Sequence, residues 1–282
     1  MVIRSKLMSW FFFLMVPMTA MAADNIQPLV IGETFTVTSK ILGEVRRINV
    51  YAPPGYYEST NESTQEKVPV LYMPDGGMAE DFLHVAGLVQ VSVGNGTMRP
   101  YLLVGIENTQ RRRDMTGPTE NANDKKIAPQ VGGSAAFRKF IRDELMPAIN
   151  SRYRTTHESA IVGESLAGLF VMETLLLEPD LFDTYIAIDP TLGWNNENLS
   201  KIAGSILNTQ SGMKKHLYLT SSGDGNPEVS QRFAEVLAKD APAGLRWHYE
   251  KMPEEKHLTI YEPAALKAFR AELGPVPTSL PH

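Results

Sequence analysis

Apolar and polar residues alternate from 33 to 52 (TFTVTS, then RRINVYA), the period-two signature of antiparallel strands with one solvated face. Pro53-Pro54-Gly55 stops the second of them, and 56–67 (YYESTNESTQEK) is polar and aperiodic, a surface loop. Past this loop the pattern changes to short buried runs at 68–73 (VPVLYM), 101–106 (YLLVGI), 159–162 (SAIV), 184–188 (TYIAI), 217–221 (LYLTS) and 245–249 (LRWHY). Helical segments lie between and after them. Phe137, Phe140, Ile141, Leu145 and Ile149 share one face of 135–153, residues 166–177 (LAGLFVMETLLL) are apolar almost all round, and 229–237 and 263–273 read as helices. Strands alternating with helices predict an α/β fold, with a mostly parallel central sheet, an antiparallel N-terminal edge and helices on both faces. The aperiodic stretch 107–133 is longer than a plain connection needs, which marks it as functional or disordered.

The first 22 residues stand apart from this pattern. Arg4 and Lys6 form a basic start, residues 7–18 are apolar and aromatic, and Ala20-Met21-Ala22 offers a small-x-small cleavage pattern. The apolar run is shorter than the ~20 residues of a spanning helix, so a cleaved secretory leader is expected over 1–22. One domain is expected over 23–282. The mature chain would be periplasmic or secreted, with no stable membrane anchor. Composition narrows the chemistry further: the chain has no cysteine, which removes disulfides, thiolate metal sites and cysteine nucleophiles. A net charge of −5 argues against a nucleic-acid partner.

The candidate chemistry centres on Gly163-Glu164-Ser165-Leu166-Ala167, closed by Gly168, between the 159–162 strand and the 166–177 helix. A serine flanked by small residues at a strand-to-helix turn is a nucleophile elbow, although the usual G-x-S-x-G has its second glycine one place earlier. A serine nucleophile needs a base, and the base an orienting acid, in the chain order Ser, Asp or Glu, His. His257 follows the final strand and precedes the final helix, so it is the candidate base. For the acid, 223–228 (GDGNPE) after the LYLTS strand offers Glu228, favoured because the longer loop would bring it back to the histidine, with Asp224 as runner-up. Glu254 and Glu255 are outside candidates, and an acid-free Ser–His pair stays open. The backbone N–H groups of Leu166 and Gly77 are the candidate oxyanion donors. Trp194, in the loop beyond the TYIAI strand, and Arg113, in Arg111-Arg112-Arg113, are candidate substrate contacts.

From 46 to 273 the chain resembles the putative-esterase family, closest to its siderophore-esterase-like branch. The stretches that carry the resemblance are VPVLYMPDGG, GGSAAFRKFIRDELMPAINSRYRT, SAIVGESLAGLFVMETLL, LFDTYIAIDPTLGWN and EEKHLTIYEP. It implies an α/β-hydrolase fold and serine hydrolysis of a small-molecule ester without metal or organic cofactor, with Ser165 as nucleophile, His257 as base and Glu228 at a glutamate position of some relatives. The branch commonly has His before the serine and Gly two after it, where this chain has Glu164 and Ala167. It commonly has Ser-Pro-Ser-x-Trp-Trp where this chain has Asp189-Pro190-Thr191-Leu192-Gly193-Trp194. Acyl transfer by the same machinery, and a non-catalytic binding protein on this scaffold, are the alternatives.

Overall fold

In the computed structural model the described residues are 26–57, 66–127 and 130–275. The expected leader lies outside them. The chain divides at residue 31, and 26–31 carry no helix or strand. From Gly32 onward, the alternating segment forms β1 (Glu33–Ser39) and β2 (Glu44–Tyr51), paired antiparallel with Phe35 opposite Ile48. The buried runs become β3 (Val68–Pro74), β4 (Leu102–Ile106), β5 (Thr155–Glu164), β6 (Thr184–Ile188), β7 (Lys215–Ser222) and β8 (Leu245–Met252). All eight strands join one sheet in the order β1-β2-β4-β3-β5-β6-β7-β8. The β2–β4 pairing is also antiparallel, and the rest of the sheet is parallel.

Side chains alternate through the sheet into two cores, so Val70 and Tyr72 of β3 enter one and Leu71 and Met73 the other. The second core is closed by α1 (Phe82–Gly94), through Phe82, Val85 and Val89, together with the C-terminal helix. The alternation of apolar residues in α1 is blurred by glycines and by an exposed Leu83, and the sequence pattern did not mark it. The stretch 107–133 also holds two short helices, α2 (Arg111–Met115) and α3 (Ala122–Ile127).

On the first core's face lie α4 (Ser134–Phe140), a π-helical turn (Ile141–Leu145) and α5 (Met146–Arg152), which together make the expected 135–153 helix. Beside them run α6 (Leu166–Leu177), α7 (Trp194–Leu207) and α8 (Pro227–Asp240); α9 (Tyr261–Glu272) packs on the opposite face. Trp194 sits, as expected, beyond β6, in the turn that opens α7. The next three residues, Asn195, Asn196 and Glu197, take left-handed backbone angles (φ 50, 56 and 61°). Asp124 accepts the Asn195 N–H at 2.8 Å and Arg232 pairs with Glu197 at 2.6 Å, which holds that turn. No helix among the described residues is long and apolar enough to cross a membrane.

The parallel register decides where the site sits. Glu164 pairs with Ile188, and Ile188 with Thr220, so β5, β6 and β7 end side by side. The residues that follow them meet at the carboxyl edge of the sheet, where α/β folds gather functional groups.

Candidate active site

Ser165 stands between β5 and α6 with φ 60° and ψ −118°, a conformation an L-residue adopts only under constraint. The constraint is local. Its N–H donates to Ile188 O at 3.1 Å, and its carbonyl accepts from Thr191 N at 3.0 Å and Leu169 N at 2.9 Å. The flanking positions must be small. A Cβ at 163 would fall 2.7 Å from Ala167 Cβ, and one at 168 would lie 3.0 Å from Ile188 O and 3.1 Å from Gly163 O. The close approaches thus fall at 163 and 168, while 167 has room for the single methyl of alanine. This accounts for the displaced glycine of the motif.

His257, in the loop between β8 and α9, reaches back over this edge. Its Nε2 lies 3.0 Å from Ser165 Oγ, and its Nδ1 lies 2.6 Å from Asp189 Oδ2. Asp189 directly follows β6, is 1% exposed, and has φ 41°. Its carboxylate also accepts from Ser222 N at 3.0 Å and Ser222 Oγ at 2.6 Å. A Cβ on Gly225 would fall 2.0 Å from Asp189 Oδ2, so the glycine leaves the carboxylate its space. With Nδ1–H donated to Asp189, the neutral imidazole presents Nε2 as an acceptor towards the serine. The Asp189 hydrogen bond pushes the His257 value above the usual 6.5; partial burial opposes this and the Glu164 charge adds to it.

The carboxylate at the imidazole is therefore Asp189, not Glu228. Glu228 lies in the first turn of α8, where it is exposed, because the chain after β7 turns into that helix instead of looping back over His257. The runner-up, Asp224, touches His257 through the backbone: its Oδ1 accepts the His257 N–H at 2.6 Å. Together with the Gly223 N–H to Glu255 O bond at 2.8 Å, this ties the loop after β7 to the loop that carries the histidine. Asp224 thus holds the His257 backbone without meeting its ring.

Three further expectations need correction. The Gly77 N–H donates to Glu80 Oε2 at 2.7 Å, so it is occupied, and the absent side chain at 77 makes room for Glu80. Leu166 is the first residue of α6, and its N–H has no acceptor within the helix. Arg113 turns inward to Glu44 at 2.8 Å and Asp114 at 2.7 Å, where the buried Arg46 also pairs with Asp114 at 2.5 Å. Trp194 packs on the core and donates its Nε1–H to Gly117 O at 3.0 Å.

A cleft of about 320 Å³ opens over Ser165 and His257, bordered also by Asp81, His84, Arg111, Glu164, Leu258, Tyr261 and Glu262. Arg111, two places before the arginine the sequence suggested, reaches this cleft with its guanidinium held by Asp75 at 2.7 and 2.8 Å. Glu164 Oε1 lies 3.3 Å from His257 Nε2, the nitrogen that also faces Ser165. Burial pushes the Glu164 carboxyl up to about 7, against the pull of His257 and Arg111. Thr191 Oγ1, 3.4 Å from Ser165 Oγ, completes the polar surroundings of the serine. Among the described residues no group of three or more His, Cys, Asp and Glu could hold a metal ion.

A serine hydroxyl, an imidazole and a buried carboxylate in one hydrogen-bonded line form the arrangement that activates an oxygen nucleophile. The family model Putative esterase matches residues 39–258. The chain belongs to that family. Within reach of this esterase sequence is the ferri-bacillibactin esterase BesA of Bacillus subtilis (strain 168), 29% identical over 206 residues, or 66% of this chain and 68% of the relative. The siderophore triacetylfusarinine C esterase of Aspergillus fumigatus is 30% identical over 146 residues, 46% of each chain. Among solved structures, an IroE-like serine hydrolase from Shewanella oneidensis matches with TM-score 0.76 and 27% identity over 86% of this chain and 80% of that one. The enterobactin and salmochelin hydrolase IroE, at 20% identity, shares the fold with TM-score 0.65 over 86% of this chain and 96% of its own. The α/β-hydrolase architecture expected from the sequence is the one observed, and the chain is a carboxylic ester hydrolase by family.

Proposed function

We propose that this esterase is an exported serine hydrolase acting on a small-molecule carboxylic ester through Ser165, His257 and Asp189. The observation that carries the reading is the unbroken line from Ser165 Oγ through the His257 ring to Asp189, at 3.0 and 2.6 Å. His257 takes the serine proton as Oγ attacks the ester carbonyl, and Asp189 holds the ring in the right tautomer and stabilises the imidazolium that forms. The Leu166 N–H, at the positive end of α6, receives the developing oxyanion. The imidazolium then protonates the leaving alkoxide, and an acyl-Ser165 ester remains. Water, deprotonated by the same His257, attacks that ester and releases the acid.

Siderophore esters, which the relatives' names carry, are the first substrates to try. The test is turnover of activated and siderophore esters by wild type, Ser165→Ala and His257→Ala, with mass analysis after treatment with a serine-reactive phosphonate. The reading expects loss of turnover in both variants and one phosphonate adduct, on Ser165. Labelling elsewhere, or an active Ser165→Ala, would contradict it. Export belongs to the same proposal: cell fractionation with N-terminal sequencing should find a chain beginning at Ala23 outside the cytoplasm, and a chain retained there with residues 1–22 would oppose it.

A further inference from the structure

The cleft over Ser165 has an uneven charge. Three carboxylates border it, Asp81, Glu164 and Glu262, and among the described residues none is paired with a lysine or arginine. Among the described residues, the ion-pair contacts of Asp81 and Glu262 are with His84, at 3.1 and 3.8 Å, and that of Glu164 is with the His257 imidazole. The guanidinium of Arg111 is held by the Asp75 carboxylate through Nε and Nη2, so this pair adds little net charge to the cleft, although the guanidinium still draws on Glu164 and Asp81. A net negative field is left beside the nucleophile, in a recess where low dielectric strengthens it.

A second feature points the same way. The side chain of Tyr261 lines the cleft and is 8% exposed, yet its hydroxyl finds no hydrogen-bond partner among the described residues. A buried polar atom without a partner calls for one, and a bound ligand can supply it. Burial and the nearby Asp81, Asp75, Glu164 and Glu262 charges raise the phenol well above its ordinary value, so it stays neutral. The carboxyl of Glu164, pushed up to about 7 by burial, is the other group that a cation would satisfy.

We infer that this cleft takes an ester bearing a positively charged nitrogen close to the scissile carbonyl, with the cation drawn to Glu164, Asp81 and Glu262 and seated against Tyr261. The inference rests on the esterase reading above and adds the charge class of its substrate. Esters with a carboxylate in the same place are repelled.

The test compares kcat/KM for acetylcholine, its uncharged isostere 3,3-dimethylbutyl acetate and the anionic 3-acetoxypropanoate. It is run at low ionic strength and pH 8.5, above the value of about 7 at Glu164. A cation-to-neutral ratio of about ten or more, and a similar penalty for the anion, are expected from Coulomb attraction in a partly shielded site. The ratio should collapse towards one in the Glu164→Gln/Glu262→Gln variant and shrink in high salt. The ratio is unaffected by a general loss of rate in that variant. Equal rates, or a preference for the anion, with Ser165-dependent hydrolysis of the neutral ester, would overturn the inference and leave the esterase reading standing. If no ester is hydrolysed, equilibrium binding of phenyltrimethylammonium against tert-butylbenzene by the wild-type protein decides: preference for the cation upholds the inference, and equal or absent binding overturns it.

Discussion

Ser165 and Asp189 both carry positive φ, at 60° and 41°, and both occupy the first position after a strand end. Each such backbone costs on the order of 1–3 kcal/mol, held here by the bonds between neighbouring strand ends. The alignment they secure is sensitive to small displacements. Gly225→Ala would drive a methyl into the Asp189 carboxylate, which Ser222 and His257 keep from moving aside. The expected outcome is a fall in kcat/KM of about a hundredfold together with a lowered melting temperature. The pH profile tests the electrostatics. His257 acts as base only when neutral, and since the Asp189 bond raises its value above 6.5, the acid limb of kcat/KM should centre above 6.5. Glu164 adds to that rise, so Glu164→Gln should move the limb to lower pH. A limb that stays in place or moves up would show that Glu164 does not act on the imidazole.

Among the elements, α6 carries the elbow into the core, with Ala167 to Leu176 buried. One of those residues is Glu173, which accepts from Ser134 Oγ at 2.6 Å and Arg138 Nη1 at 3.0 Å; Arg138 also holds Glu178 at 2.7 Å. Arg138→Ala would strand a buried carboxylate and should lower stability by roughly 3–5 kcal/mol in urea unfolding. The strands were legible because buried β-runs announce themselves by composition, and 166–177 because a long, apolar run before a loop can hardly be anything but a core helix. Arg111-Arg112-Arg113 was not separable in sequence. Within α2 successive residues turn by about 100° around the axis, so Arg111 reaches the cleft while Arg113 reaches Glu44. Only the helix itself distinguishes them.

At the level of the whole molecule, chain order and placement after the last strand brought Ser165 and His257 into view. The acid was a different matter. Asp189, Asp224 and Glu228 all lie between serine and histidine, within a few residues of strand ends at the carboxyl edge, and order alone does not rank them. What ranks them is the register of β5, β6 and β7, which sets the residue after β6 beside the elbow, and the turn into α8, which carries Glu228 away. The central claim is therefore that Asp189 completes the site. It is tested by p-nitrophenyl acetate hydrolysis with folded Asp189→Asn and Glu228→Gln beside wild type. The account predicts that Asp189→Asn loses roughly a thousandfold or more in kcat, because the imidazole is no longer held in its working tautomer, while Glu228→Gln keeps wild-type turnover. A near-wild-type Asp189→Asn, or a crippled Glu228→Gln, would contradict it.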